Sequence, residues 1–233
     1  MDRHGHASSS LLESPTGFLE APLGLRAKNK AAKLQRIRKA ARALFVKRGY
    51  DDTTMRDIAK RANVGFGTLF TYASDKRDLL FLIFNDELDT VVDSAFARAT
   101  AETAFVEQLL AYFGAFYRFF APQPELSRVV LREMTFYLTG RQAEQFQASC
   151  GRMLQHLASF VNQARASGHL ESREDSSIIA QALLSTFASE LRRWIAANDP
   201  VLKDGLAKLR RMLLLQMAGL APRADAPQKR RGQ

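Results

Sequence analysis

Apolar residues recur at spacings of three and four along most of this chain, and alternating strand patterns are absent. From Lys28 to Arg48, Leu34, Ile37, Ala41, Leu44 and Phe45 share one side of a predicted helix. Lys33, Arg36, Lys39, Arg42 and Lys47 occupy its other faces, and Gly49 ends it. A short helix follows near Met55. The Thr54 hydroxyl is placed to accept from the amides of its first turn, and Asp57 to reach back and close a capping box. Ile58, Ala59 and Ala62 form its buried side. Asn63, which tolerates a left-handed backbone, redirects the chain, with Val64 as an apolar plug under the turn. The next helix is predicted from Phe66 to Tyr72 with Leu69 inward, and Asp75 with Asp78 reads as a second capping pair that opens a long helix.

The remainder is predicted as helices over 79–99, 103–120, 125–137, 141–166, 174–197 and 202–220. Pro122 to Pro124, Gly140, Gly168 and Asn198-Asp199-Pro200 punctuate them. The resulting fold class is all-α, with a three-helix domain over 28–78 followed by a larger helical domain over 79–221. Residues 1–27 read as a mobile N-terminal arm and 222–233 as a basic C-terminal tail.

Two short helices joined by a tight turn form a helix-turn-helix, whose second helix enters a major groove of DNA. Its outer side offers Gly65, Phe66, Gly67, Thr68, Thr71 and Tyr72, small, hydroxylated and aromatic residues suited to base edges, thymine methyls and phosphates. With Thr53 and Thr54 before the first helix they make up the candidate DNA contacts. Lys76, beside the amides of a helix start, is the candidate phosphate ligand.

Charge supports a polyphosphate partner. Residues 1–80 carry 16 Lys and Arg against 8 Asp and Glu, residues 81–220 carry 14 against 15, and residues 221–233 carry 4 against 1. The excess lies around the helix-turn-helix and in the two tails. No stretch approaches 18 uninterrupted apolar residues and the beginning lacks the apolar core of a secretory signal, so a soluble, cytoplasmic protein without membrane partners is expected. Cys150 is the only cysteine, which excludes an intrachain disulfide and a cysteine-rich zinc cluster.

From Arg36 through Phe84 the chain resembles the DNA-binding domain of the TetR family of transcriptional regulators. Ala40-Ala41, Leu44-Phe45, Gly49-Tyr50, Thr53-Thr54, Asp57-Ile58-Ala59, Ala62, Val64, Gly67-Thr68-Leu69, Tyr72, Lys76 and Leu79-Leu80 carry the resemblance in order. Four positions depart from the family pattern: Asn63 stands where glycine is usual, Gly65 serine, Phe70 tyrosine and Ala73 phenylalanine. Gly65 and Phe70 thereby lack two hydroxyls that would contact phosphate. The resemblance implies a homodimer on a double-stranded DNA operator, most simply a repressor, whose second domain binds a small-molecule effector.

Within that second domain, Phe113, Phe116, Tyr117, Phe136, Phe187 and Trp194 are the candidate ligand-binding residues for a hydrophobic or aromatic effector, with Arg132, Gln147, Glu190 or Arg193 to orient it. Aromatics at helical spacing are, however, usually ordinary core. Ile178, Ile179, Leu183, Leu184, Phe187, Leu191 and Ile195, then Leu206, Leu209, Leu213, Leu214 and Met217, mark the last two helices as a dimer interface or as intrachain core. No catalytic residue, metal site or cofactor is expected. His156 lies six residues from Cys150, off its helical face, and Gly65-Phe66-Gly67 lacks the third glycine and preceding strand of a phosphate loop. The alternative function is a ligand-independent, architectural DNA-binding protein.

Overall fold

In the computed structural model, which describes residues 24–99 and 104–219, the chain forms nine helices and, among those residues, no strand. They are α1 (Leu25–Arg48), α2 (Met55–Ala62), α3 (Phe66–Leu69), α4 (Lys76–Arg98), α5 (Phe105–Phe120), α6 (Pro124–Glu133), α7 (Ala143–Ala166), α8 (Ser176–Ile195) and α9 (Leu202–Gly219). No described helix is long and apolar enough to cross a membrane. The all-helical expectation holds. The segment expected as an arm is helical from Leu25 onward, where Arg, Lys and Ala favour the helix and the Gly24 carbonyl accepts from Ala27 and Lys28. The rest of that arm and the C-terminal tail lie outside the described residues, as do Thr103 and Leu220.

Helices α1 to α3 pack around Ile37, Ala41, Leu44, Phe45, Ile58, Ala59 and Leu69. Helix α4 joins this core through Leu79 and Leu80, then continues into the larger bundle, where Leu88, Val92 and Ala95 are buried. One contiguous core thus runs from the small domain into the large one. Arg38–Asp86 (2.6 Å) and Arg42–Glu87 strap α1 onto the same helix. In the bundle α7 packs along α8 and α4, and α9 lies across α5 and α8. Gly205 permits that last crossing, since a Cβ there would fall 2.6 Å from Trp194 Cδ1 and 2.8 Å from Tyr117 Cε1.

Two helices end three or four residues before their spacing predicts. The second helix of the reader stops at Leu69 rather than Tyr72: Thr71 and Tyr72 donate to carbonyls three residues back, and the Thr71 hydroxyl donates to Thr68 O at 2.7 Å. Helix α6 ends at Glu133 rather than Tyr137. Arg77 there takes up the Glu133 and Thr135 carbonyls, Phe136 adopts φ 59°, and Tyr137 leaves the helical path to stack on Phe81 at 3.8 Å. Tertiary partners override the local period at both places.

Candidate DNA interface and regulatory cavity

The turn of the reader is built as its sequence demands. Thr54 Oγ1 accepts from the Asp57 amide at 3.2 Å, and the Asp57 carboxylate accepts from the Thr54 amide at 3.1 Å. The Thr54 hydroxyl and amide hold that carboxyl below its usual range. Asn63 sits in the left-handed region at φ 52°, and Val64 packs beneath the turn. Gly65 opens α3, where Gly67 has no atom within 4 Å of where a Cβ would stand. Phe66, Gly67 and Thr71 are exposed, Thr68 and Tyr72 half-buried. Thr54 is exposed as well. Lys28, Lys30, Lys33, Arg36 and Lys39 on α1 and Arg56, Lys60 and Arg61 on α2 are likewise exposed, and none forms an ion pair among the described residues. A duplex laid there meets a field of uncommitted positive charge.

Two expected contacts are placed differently. Thr53 is only 1% exposed, with its hydroxyl donating to Gly49 O at 2.7 Å, so it closes the α1–α2 loop and has no surface to offer DNA. Lys76 turns inward: its Nζ donates to Tyr50 O at 2.8 Å and Asp51 O at 3.1 Å and lies 4.5 Å from the centre of the Tyr50 ring. Two of its three donors are thereby used. The sequence set also omits Phe70, which is exposed beside Phe66. A bulky apolar residue at a position where the family usually has tyrosine was its signal.

The join between reader and bundle centres on Asp78. Asp75 caps α4 as predicted, accepting from the Asp78 amide at 2.7 Å, but Asp78 does more than reciprocate. Fully buried, its carboxylate accepts from Ser74 N (2.7 Å), Ser74 Oγ (2.9 Å), Gln142 N (2.8 Å), Arg141 N (3.1 Å) and the Tyr137 hydroxyl. Burial opposes its charge, but these donors, Tyr137 foremost, outweigh burial and hold the carboxyl below its usual range. Gly140, at φ 137°, makes the approach possible, because a Cβ there would fall 2.7 Å from Asp78 Oδ1. Gln142 adds a bond from its side chain to Tyr72 O at 3.0 Å, directly behind the reader. The 137–142 loop is therefore tied both to the start of α4 and to the end of the helix-turn-helix.

Inside the bundle an apolar cavity of about 280 Å³ opens between α4 to α8. Leu88 and Val92 of α4, Phe116 and Phe120 of α5, Leu131 and Met134, Phe146, Cys150 and Met153 of α7, and Leu184, Phe187, Ala188 and Leu191 of α8 line it. Ser149 and Arg192 are its polar lining residues. Of the six aromatics expected at a ligand, Phe116 and Phe187 line this cavity. Phe113 lies behind, stacked on Phe187 at 4.4 Å, and Tyr117 is fully buried against Trp194 and Phe187. Trp194 faces a separate surface pocket near Gly205 and donates to Val201 O at 3.0 Å. Phe136 is 83% exposed and lines an open groove instead. The expected orienting groups are also elsewhere: Arg132 pairs with Asp51 and Glu133, Gln147 donates to Tyr137 O, and Glu190 pairs with Arg193. Arg192 is the charged residue that lines the cavity. Burial pushes the Cys150 thiol up, and His156 is held by Tyr112 and Phe96.

Most of the expected interface of α8 and α9 is intrachain core. Ile179, Leu183, Phe187, Leu191, Ile195, Leu209 and Leu213 are buried within one chain, leaving Ile178, Leu214 and Leu215 exposed.

A helix-turn-helix carried on a helical bundle defines the class, a DNA-binding transcriptional regulator. Residues 37–83 match the family model for bacterial regulatory proteins of the tetR family. The HTH-type transcriptional repressor KstR of Mycolicibacterium smegmatis is 28% identical over 178 residues, 76% of this chain and 82% of that one. Thermus thermophilus FadR, a TetR-family transcriptional repressor solved with lauroyl-CoA, is 25% identical with a TM-score of 0.61, covering 83% of this chain and 98% of its own. FadR from Bacillus subtilis, solved with stearoyl-CoA, shares the fold at 19% identity and a TM-score of 0.63, over 80% of this chain and 99% of that one.

Proposed function

We propose that the protein is a homodimeric, sequence-specific repressor released from its operator by an acyl thioester of coenzyme A whose chain fills the α4–α8 cavity. The observation that carries this reading is the path of α4. Its first turn holds the Asp78 cluster behind the reader, and Leu88 and Val92, further along the same helix, line the cavity. Leu131 and Met134, on the opposite wall, lead into the loop that Arg77 and Asp78 grip. An occupant that spreads these walls displaces α4 and, with it, the reader. Release requires only that ligand prefer the displaced arrangement; a hundredfold preference corresponds to about 2.8 kcal/mol.

Size and charge support a thioester. A cavity of about 280 Å³ lies just below the roughly 300–1,000 Å³ of ligand pockets, so it suits a hydrocarbon chain and not a nucleotide. The head group then passes Arg192, which lines both the cavity and the groove formed with Arg128, Leu131, Arg132 and Phe136. Arg128 and Arg132 already hold protein partners, so Arg192 is the guanidinium we assign to the first phosphate. The lauroyl-CoA bound by the Thermus relative favours the same class of effector. Ile178, Leu214 and Leu215 on the outer faces of α8 and α9 support pairing of two chains, which would set two readers roughly 34–36 Å apart, one turn of DNA.

Footprinting on sequences selected from a random DNA pool tests the reading. A two-fold symmetric protected site, cleared by a long-chain acyl-CoA, is expected. Diffuse protection with no shared sequence would instead identify an architectural DNA-coating protein.

A further inference from the structure

On the surface of the reader the polar side chains of Thr68 and Tyr72 are half-buried. Gly65 and Gly67 have no side chains, and the Thr71 hydroxyl proton is already given to Thr68 O. What projects instead is a pair of phenyl rings. Phe66 opens α3 and Phe70 follows its last residue, one helical turn on, while Leu69 between them points into the core. The rings meet edge to face with centroids 5.1 Å apart, and they remain 42% and 38% exposed, whereas Phe45 and Tyr50 of the same domain are buried. The Arg56 guanidinium stands over the Phe66 ring at 5.6 Å, which restricts the ring and holds a positive charge beside it.

Two contacting phenyl rings left in water are an exposed apolar patch, and such a patch on a binding face marks what it binds. A phenyl ring can read neither donors nor acceptors. In a major groove the apolar group that distinguishes one base from the others is the C5-methyl of thymine. We propose that Phe66 and Phe70 act as one apolar knuckle that reads thymine methyl groups, so that each operator half-site carries thymine at the positions beneath the two rings. This rests on the DNA-binding reading above and adds the chemistry of its specificity. Arg56, close to the rings and unpaired, then serves the adjacent phosphate.

Deoxyuridine is the probe, because it differs from thymidine only by that methyl. The enriched site is selected from a random pool by the full-length protein, and each thymine is replaced in turn by deoxyuridine. Loss of one buried methyl corresponds to roughly threefold to fourfold in affinity. We expect that loss at one or two thymines per half-site and none elsewhere. Phe70→Ala and Phe66→Ala should each erase the thymine–deoxyuridine difference at one of those positions. Both rings are exposed, so unchanged helical circular dichroism and melting temperature will show that the variants fold. Equal affinity for thymine and deoxyuridine throughout an otherwise selective site overturns the proposal while leaving the DNA-binding function intact; so does a difference that survives in both variants. Failure to enrich any sequence would overturn the function itself.

Discussion

The Tyr137 hydroxyl donates to the buried carboxylate of Asp78, joining the first turn of α4 to the loop that follows the cavity wall of α6. Because the same carboxylate also takes the Ser74, Arg141 and Gln142 amides, one side chain fixes the geometry between reader and bundle. Tyr137→Phe keeps the ring stack on Phe81 and removes one donor to a charge. It should cost about 2 kcal/mol, roughly 4–8 °C in melting temperature for a chain of this size. It should also reduce the effect of effector on operator affinity. A variant as stable as wild type would show that the bond contributes nothing to holding the join.

The same cluster sets a pH dependence. The Asp78 carboxyl is held below its unfolded value, so its contribution is present above about pH 4 and lost as pH falls through the lower folded value. Thermal melts of wild type and Asp78→Asn between pH 3 and 6 should therefore converge at the acid end, with the variant the less stable above it. Parallel curves would remove Asp78 as the titrating group. Asp89, also held low, will leave some acid sensitivity in the variant.

Lys76 separates two readings of a helix-start lysine. With its ammonium on the Tyr50 and Asp51 carbonyls, Lys76→Ala should lower stability by about 1–2 kcal/mol and leave the salt dependence of DNA binding unchanged. A phosphate contact would instead reduce the slope of log affinity against log salt by about 0.9, and the slope is measurable in one titration series.

Filling the cavity should disconnect the effector. Ala188→Trp places an indole among Phe116, Leu184 and Phe187. Release by acyl-CoA should be lost, because the indole takes the volume the acyl chain needs. Retained release would put the ligand elsewhere.

Local chemistry was legible in the sequence wherever its partners lie within a few residues. The Thr54–Asp57 box, the left-handed Asn63 and the inward Leu69 each follow from their immediate neighbours. Lys76, Asp78 and Tyr137 were not legible, since their distant partners are 25 to 64 residues away and chosen by packing. Periodicity likewise marked Phe113, Phe116, Tyr117 and Phe187 as interior, yet it does not distinguish burial against protein from burial against a void. Only Phe116 and Phe187 face the void. Phe136 misled because the helical period runs through it while Arg77, by capturing carbonyls at 133 and 135, ends the helix before it.

Thermodynamic linkage measures the coupling between cavity and reader. The affinity for lauroyl-CoA should be measured with and without saturating operator, beside the affinity for operator with and without saturating lauroyl-CoA. Both should fall by one common factor of ten or more, because a coupling free energy is reciprocal. If each ligand binds with the same affinity whether or not the other is present, the cavity does not control the reader and the account is wrong.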